Sequence, residues 1–255
     1  MSDKHRAEQS GSSVAGLSAP GTPVLDGDLA SSADKRVLLV LTSHDDLGGV
    51  RKTGYFVGEA AHPWRVFVDA GFEVDLASIA GGTPPQDGYD ESDEVQRAFL
   101  ADDKISAQLA NTTSLDDVDP GAYDAVVLVG GHGTMWDFPD SIALAAAGRD
   151  IYESGGVVAA VCHGPSGLIN MKLSDGTPLI AGKTVAGFTN EEEAAVGLTD
   201  TVPFLLADKL TEQGAEHIPA EPWSEHVEVD ERLVTGQNPQ SAGAVGREVV
   251  KLLGG

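Results

Sequence analysis

Cysteine is close to absent: the 255 residues contain one, Cys162. A disulfide within the chain is therefore excluded, and so is any paired-thiol metal spacing such as Cys-x-x-Cys. Positive charge is also scarce, with 16 Lys and Arg against 40 Asp and Glu and a formal net charge of −24. Nucleic acids and anionic membranes are both attracted through clustered basic residues, so neither is an expected partner. No apolar run approaches the ~20 residues of a membrane span. The first residues lack the apolar core of a signal peptide, and a lone unpaired cysteine fits a reducing compartment. The expected location is the cytoplasm.

The apolar content, 41% of the chain, suffices for a sizeable core, and the length suits one large α/β domain or two small ones. Residues 1–34 are rich in Ser, Ala, Gly, Pro and Asp without periodicity and read as a disordered or loosely attached tail. Residues 35–255 carry the fold. Apolar runs at 36–41, 125–129 and 156–161 read as buried strands, and 72–77 alternates apolar and polar like a strand. Shorter strands are expected at 179–180 and 184–186, with a late pair at 227–229 and 233–234. A helix leads through to Ala70, with a kink or late start at Pro63. Others are expected at 93–100, 104–111, 141–153, 204–213 and 241–253, and one starts at 189–193 with Asn190 as its cap. The polar, acidic stretch 81–119 reads as a small cap inserted over the sheet edge. Strands alternating with helices imply an α/β fold, a mostly parallel sheet covered by helices on both faces.

The buried run 156–161 ends in Cys162-His163-Gly164-Pro165, and 166–170 reads as the start of a helix. A strand turning sharply into a helix with a cysteine at the bend has the form of a nucleophile elbow. A helix N-terminus there favours the thiolate, the reactive form. The competing reading is an inert core cysteine. His163 can serve as base or acid, or merely contact the helix start. An orienting carboxylate is needed. Glu191, Glu192 and Glu193 are candidates, and spacing does not choose among them. The turn Gly130-Gly131-His132-Gly133 can bring backbone N–H groups to an oxyanion, or simply be flexible. Glu59 reads locally as a solvated helix-face residue; buried beside the cysteine, it would hold its proton and donate it. Cys162, His163 and His132 are the residues that could suggest a metal, but adjacent Cys and His chelate one ion poorly. No metal and no cofactor are expected.

The motif Ala159-Ala160-Val161-Cys162-His163-Gly164-Pro165 resembles the nucleophile motif of the ThiJ/PfpI superfamily, which is related to class I glutamine amidotransferases. Further stretches are similar to its Hsp-thirty-one-like branch, which includes glutathione-independent glyoxalases (glyoxalase III) and stress chaperones. They are Lys52-Thr53-Gly54 with Glu59-Ala60-Ala61-His62-Pro63, then Gly131-His132-Gly133-Thr134, then Gly187-Phe188-Thr189-Asn190-Glu191-Glu192-Glu193, and finally Arg232 through Ala242. The resemblance runs from about Lys35 to the C-terminus.

This resemblance implies a flavodoxin-like, doubly wound sheet. It implies Cys162 as nucleophile flanked by His163, with Glu193 as the acid of the triad. Glu59 falls on the acid that hydrogen-bonds the nucleophile, and Gly131 and His132 on the ligand-contacting loop. The implied activity is a lyase of the D-lactate dehydratase type, converting methylglyoxal to lactate without glutathione through a hemithioacetal on Cys162. The implied substrate is a small reactive carbonyl compound, and the implied assembly a homodimer. A holdase chaperone for unfolded chains is the alternative, with an apolar patch around Trp136 to Pro139 as its mark. A deglycase acting on glycated proteins or nucleotides is a related reading. Peptidase or amidase action ranks last, because the histidine sits next to the cysteine.

Overall fold

Four strands build the centre of the molecule, which a computed structural model describes from residue 35 to residue 255. The expected tail at 1–34 lies outside the described residues. In chain order the elements are β1 (Arg36–Leu41), β2 (Tyr55–Phe56), α1 (Val57–Asp69), β3 (Glu73–Ser78), β4 (Gln86–Asp87), α2 (Glu94–Ala101), α3 (Asp103–Ala110) and β5 (Thr113–Ser114). There follow β6 (Ala125–Leu128), α4 (Thr134–Asp137), α5 (Ile142–Glu153), β7 (Val157–Val161), β8 (Thr184–Val185) and α6 (Asn190–Ala195). The last are α7 (Leu206–Glu212), β9 (Glu216–His217), β10 (Val227–Asp230), β11 (Leu233–Gly236) and α8 (Ala242–Leu252).

Seven strands form the main sheet in the order β10-β11-β7-β6-β1-β3-β5. All neighbours are parallel except the edge hairpin β10/β11. Every residue of β6 and β7 is buried, and since successive side chains point to opposite faces, both faces are covered. This is why these strands read as unbroken apolar runs. Helices α1 and α8 pack on each other, and α5 packs on β6 and β7. From β1 the chain winds outward to β3 and β5, then returns to β6 on the other side. The switch point between β1 and β6 leaves a crevice at the C-terminal strand ends, where open α/β sheets bind ligands.

Several local expectations are corrected. Helix α1 starts early, at Val57, and continues past Pro63; lacking an N–H, that proline leaves the Glu59 carbonyl without its usual helical donor. Residues 179–180 form a turn, not a strand. The Asp175-Gly176 turn pairs only Lys172 with Pro178 before the chain turns again, and Leu179 and Ile180 are buried as core instead. The cap of α6 is Thr189, not Asn190: its hydroxyl accepts from the Glu192 N–H while the Glu192 carboxylate accepts from the Thr189 N–H, a reciprocal capping box. The stretch around Trp136 is no exposed patch. Phe138 is buried, and the Trp136 ring stacks on His44 at 5.1 Å between centroids. Within 81–119, α2 packs on α1, and β5 extends the main sheet beside β3.

Candidate active site

Strands β6 and β7 are neighbours with matched register, Leu128 opposite Ala160. The segments that leave them therefore emerge at the same edge, and this brings Gly130-Gly131-His132 alongside Cys162-His163. Cys162 adopts φ of 60°, a left-handed conformation uncommon outside glycine. It is held there by two backbone bonds, Cys162 N–H to Gly236 O and Phe188 N–H to Cys162 O, both at 2.9 Å. Strain that the surroundings over-determine is a mark of functional sites. The turn that follows is a 3₁₀ stretch, Gly164–Leu168, in place of the expected helix start.

Cys162 is 4% exposed, yet it lines a cavity of about 670 Å³ together with His132, His163, Glu59 and Gly131. Burial pushes the Cys162 thiol well above its ordinary range. The expectation that the bend would favour a resting thiolate is thus corrected: the thiol keeps its proton at rest. Desolvation outweighs a one-turn helix end.

Glu59 is fully buried on α1, between the sheet and its neighbouring helices, and not solvated as its local sequence suggests. Neither carboxyl oxygen has a partner in good hydrogen-bond geometry. Burial raises its pKa to about 8, against the smaller opposing pull of the Cys162 thiol and the Gly130 N–H. It is held as the neutral acid at pH 7. Gly130 makes room for it, since a Cβ there would fall on the Glu59 Oε2 atom and the Val161 carbonyl. Gly131 has φ of 108°, and its Cβ would strike the Gly54 carbonyl. These two glycines are demanded by packing.

Glu193 projects from α6 and joins two imidazoles. Its Oε2 lies 2.6 Å from His163 Nε2 and its Oε1 lies 2.8 Å from His132 Nε2. Burial alone would raise the Glu193 pKa, but the bonds from His132 and His163 prevail and lower it to about 2. An ionised carboxylate can only accept, so both Nε2 atoms carry the proton. That leaves Nδ1 of His163 as an acceptor, 3.4 Å from the Cys162 sulfur. Burial, with His132 beside it, lowers the His163 pKa to about 4, so the ring is neutral. The two imidazoles and Glu193 bring their potential ligand atoms within 4.8 Å of one another. This group excludes the sulfur that the sequence placed beside the two histidines, and the hydrogen bonds account for its closeness.

The structure thus gathers Cys162, His163, Glu59, His132 and Gly131 at one cavity, with Glu193 bonded to both histidines without itself lining it. Glu191 is exposed and lines a different hollow, and Glu192 accepts from the Trp223 N–H and from the Gln237 and Asn238 amides instead of from histidine. Sequence reasoning missed the far wall. Phe188 lies 4.4 Å from the His163 ring, and Trp223 packs edge-on against Phe188 at 5.7 Å. An isolated tryptophan in the polar stretch 218–226 is the signal that could have found it. At the mouth, Arg51 Nη1 donates to Asp87 Oδ2 at 2.7 Å.

A family model described as DJ-1/PfpI family matches residues 53–252. Glyoxalase 3 of Candida albicans is 37% identical over 232 residues, covering 84% of this chain and 97% of that protein. The crystal structure of glyoxalase III from the same organism superposes with a TM-score of 0.80 at 36% identity, over 86% of this chain and 98% of its own. The Rapid Encystment Protein 24 kDa of Francisella tularensis superposes with a TM-score of 0.84 at 43% identity, over 87% of this chain and 100% of its own.

Proposed function

Starting from a chain that belongs to the DJ-1/PfpI family, we propose that it is a glutathione-independent glyoxalase, taking methylglyoxal to lactate on Cys162. One observation carries the reading. The chain's single thiol opens into a cavity and faces an imidazole nitrogen that must accept, because the other nitrogen is committed to Glu193. The relatives named glyoxalase supply the substrate class, a small reactive carbonyl compound.

The Cys162 S–H proton passes to His163 Nδ1 as sulfur bonds to the aldehyde carbon, and the imidazolium then protonates the aldehyde oxygen to give a hemithioacetal. Neutral again, His163 removes the remaining hydrogen on that carbon and leaves an enediolate. That proton returns at the neighbouring carbon, while the hydroxyl proton moves to the ketone oxygen. A lactoyl thioester results. Water cleaves it, releasing lactate and restoring the thiol. The substrate's own carbons exchange oxidation level, so nothing else is oxidised or reduced. Glu59, held protonated, donates toward the sulfur whenever it bears charge, and Glu193 stabilises the transient imidazolium. His132 and the Gly131 turn line the side where the oxygens sit. The proposal extends to a cytoplasmic homodimer; no helix among the described residues is long and apolar enough to cross a membrane.

The test is lactate formation from methylglyoxal in thiol-free buffer, for wild type and Cys162→Ala. Wild type should form lactate and the variant should lose about 10³-fold or more in rate. A variant that keeps most of the turnover refutes the scheme.

A further inference from the structure

The cavity over Cys162 is large for a three-carbon dicarbonyl and has an apolar rim. Three of the large apolar side chains that stand exposed line its mouth, Val50 at 63%, Val196 at 43% and Trp223 at 40%. Exposed apolar groups gathered around a cavity mark what binds there. Trp223 is also held in an unfavourable backbone state, with φ of 63°. What holds it is the buried carboxylate of Glu192. One oxygen accepts from the Trp223 N–H at 2.9 Å, from Asn238 Nδ2 at 2.9 Å and from Gln237 Nε2 at 3.1 Å, while the other accepts from Thr189. A single fully buried charge thus ties the α6 cap, the Trp223 loop and the turn after β11. The cost of burying it requires all of those donors.

Resting on the glyoxalase reading above, we infer that the Glu192–Trp223 latch sets specificity, favouring 2-oxoaldehydes whose second carbon carries a bulky apolar substituent, aryl or branched alkyl. The aldehyde carbon reaches the sulfur, and the substituent lies against Trp223 and the valines of the rim. Trp223 is the specificity residue, and Glu192 positions it.

The experiment measures kcat and KM of the full chain with methylglyoxal and phenylglyoxal, for wild type, Trp223→Ala, Trp223→Phe and Glu192→Gln. The ratio of kcat/KM for phenylglyoxal over methylglyoxal should exceed one in wild type. It should fall roughly tenfold in Trp223→Ala, chiefly through KM for phenylglyoxal. Trp223→Phe should restore most of it, and Glu192→Gln should lower it in the same direction as Trp223→Ala. A ratio that does not move in Trp223→Ala overturns the inference while leaving the glyoxalase reading standing. Equal loss on both substrates, through kcat, assigns Trp223 a structural role and also overturns it. Turnover of neither substrate by wild type sinks the glyoxalase reading and this inference together.

Discussion

Glu193 binds His163 through one carboxylate oxygen and His132 through the other, at 2.6 and 2.8 Å. One charge therefore orders two imidazoles whose rings lie 4.0 Å apart between centroids. Replacing it with glutamine leaves one acceptor oxygen and sets an NH₂ group against a ring N–H. One histidine must then rotate or change tautomer. Glu193→Gln should lower kcat by about 10²–10⁴, by analogy with the wrong-tautomer effect in a triad. His132→Ala, which leaves the His163 bond intact, should cost less than Glu193→Gln. Steady-state kinetics on the two variants checks the order of these losses.

Glu59 carries a stability prediction with a definite sign. Its folded pKa of about 8 stands above the ordinary 4.5. Between these values the folded state keeps a proton that the unfolded state has lost, so stability falls as pH rises through this window and levels off above it. The full effect is on the order of 3–5 kcal/mol. Glu59→Gln keeps the neutral shape and removes the titration. Urea melts from pH 5 to 9 should show wild type losing stability relative to Glu59→Gln as pH rises; parallel curves would contradict the assignment.

The fold was legible from sequence because the central strands are buried on both faces. The short apolar run before Cys162 forms β7, which ends at Val161 as expected. Glu59 was not legible by local pattern, because its burial depends on α1 lying between the sheet and two further helices. The His132–Glu193 bond spans 61 residues, and only the sheet order reveals that their elements meet. Glu192 and Glu193 are adjacent and chemically identical, yet one binds backbone N–H and amide groups and the other holds imidazoles. Helical rotation separates their roles, and no spacing rule could. The family motif picked out Glu193 where physical reading of the residues left three acids open.

The activity profile should reflect displaced titrations. His163 stays neutral down to about pH 4, well below the ordinary 6.5, because burial opposes its charge. The acid limb of kcat/KM should therefore lie near or below pH 5, not at 6.5. On the alkaline side, loss of the Glu59 proton at about pH 8 should lower activity. Glu59→Gln should abolish that alkaline limb while lowering the maximum. An acid limb centred at 6.5 would show that His163 is not desolvated. On folding, the same His163 shift predicts stability lost as pH falls from about 6.5 to 4, the reverse of the Glu59 trend.

Because Cys162 is the only cysteine, alkylation reports on it without any background. Iodoacetamide at mildly alkaline pH, with mass spectrometry giving the labelled fraction, can be set against the remaining methylglyoxal turnover in each sample. Lactate formation should fall in direct proportion to labelling and reach zero at one carbamidomethyl group per chain, with methylglyoxal slowing the labelling. A fully labelled protein that still forms lactate would contradict Cys162 as the nucleophile.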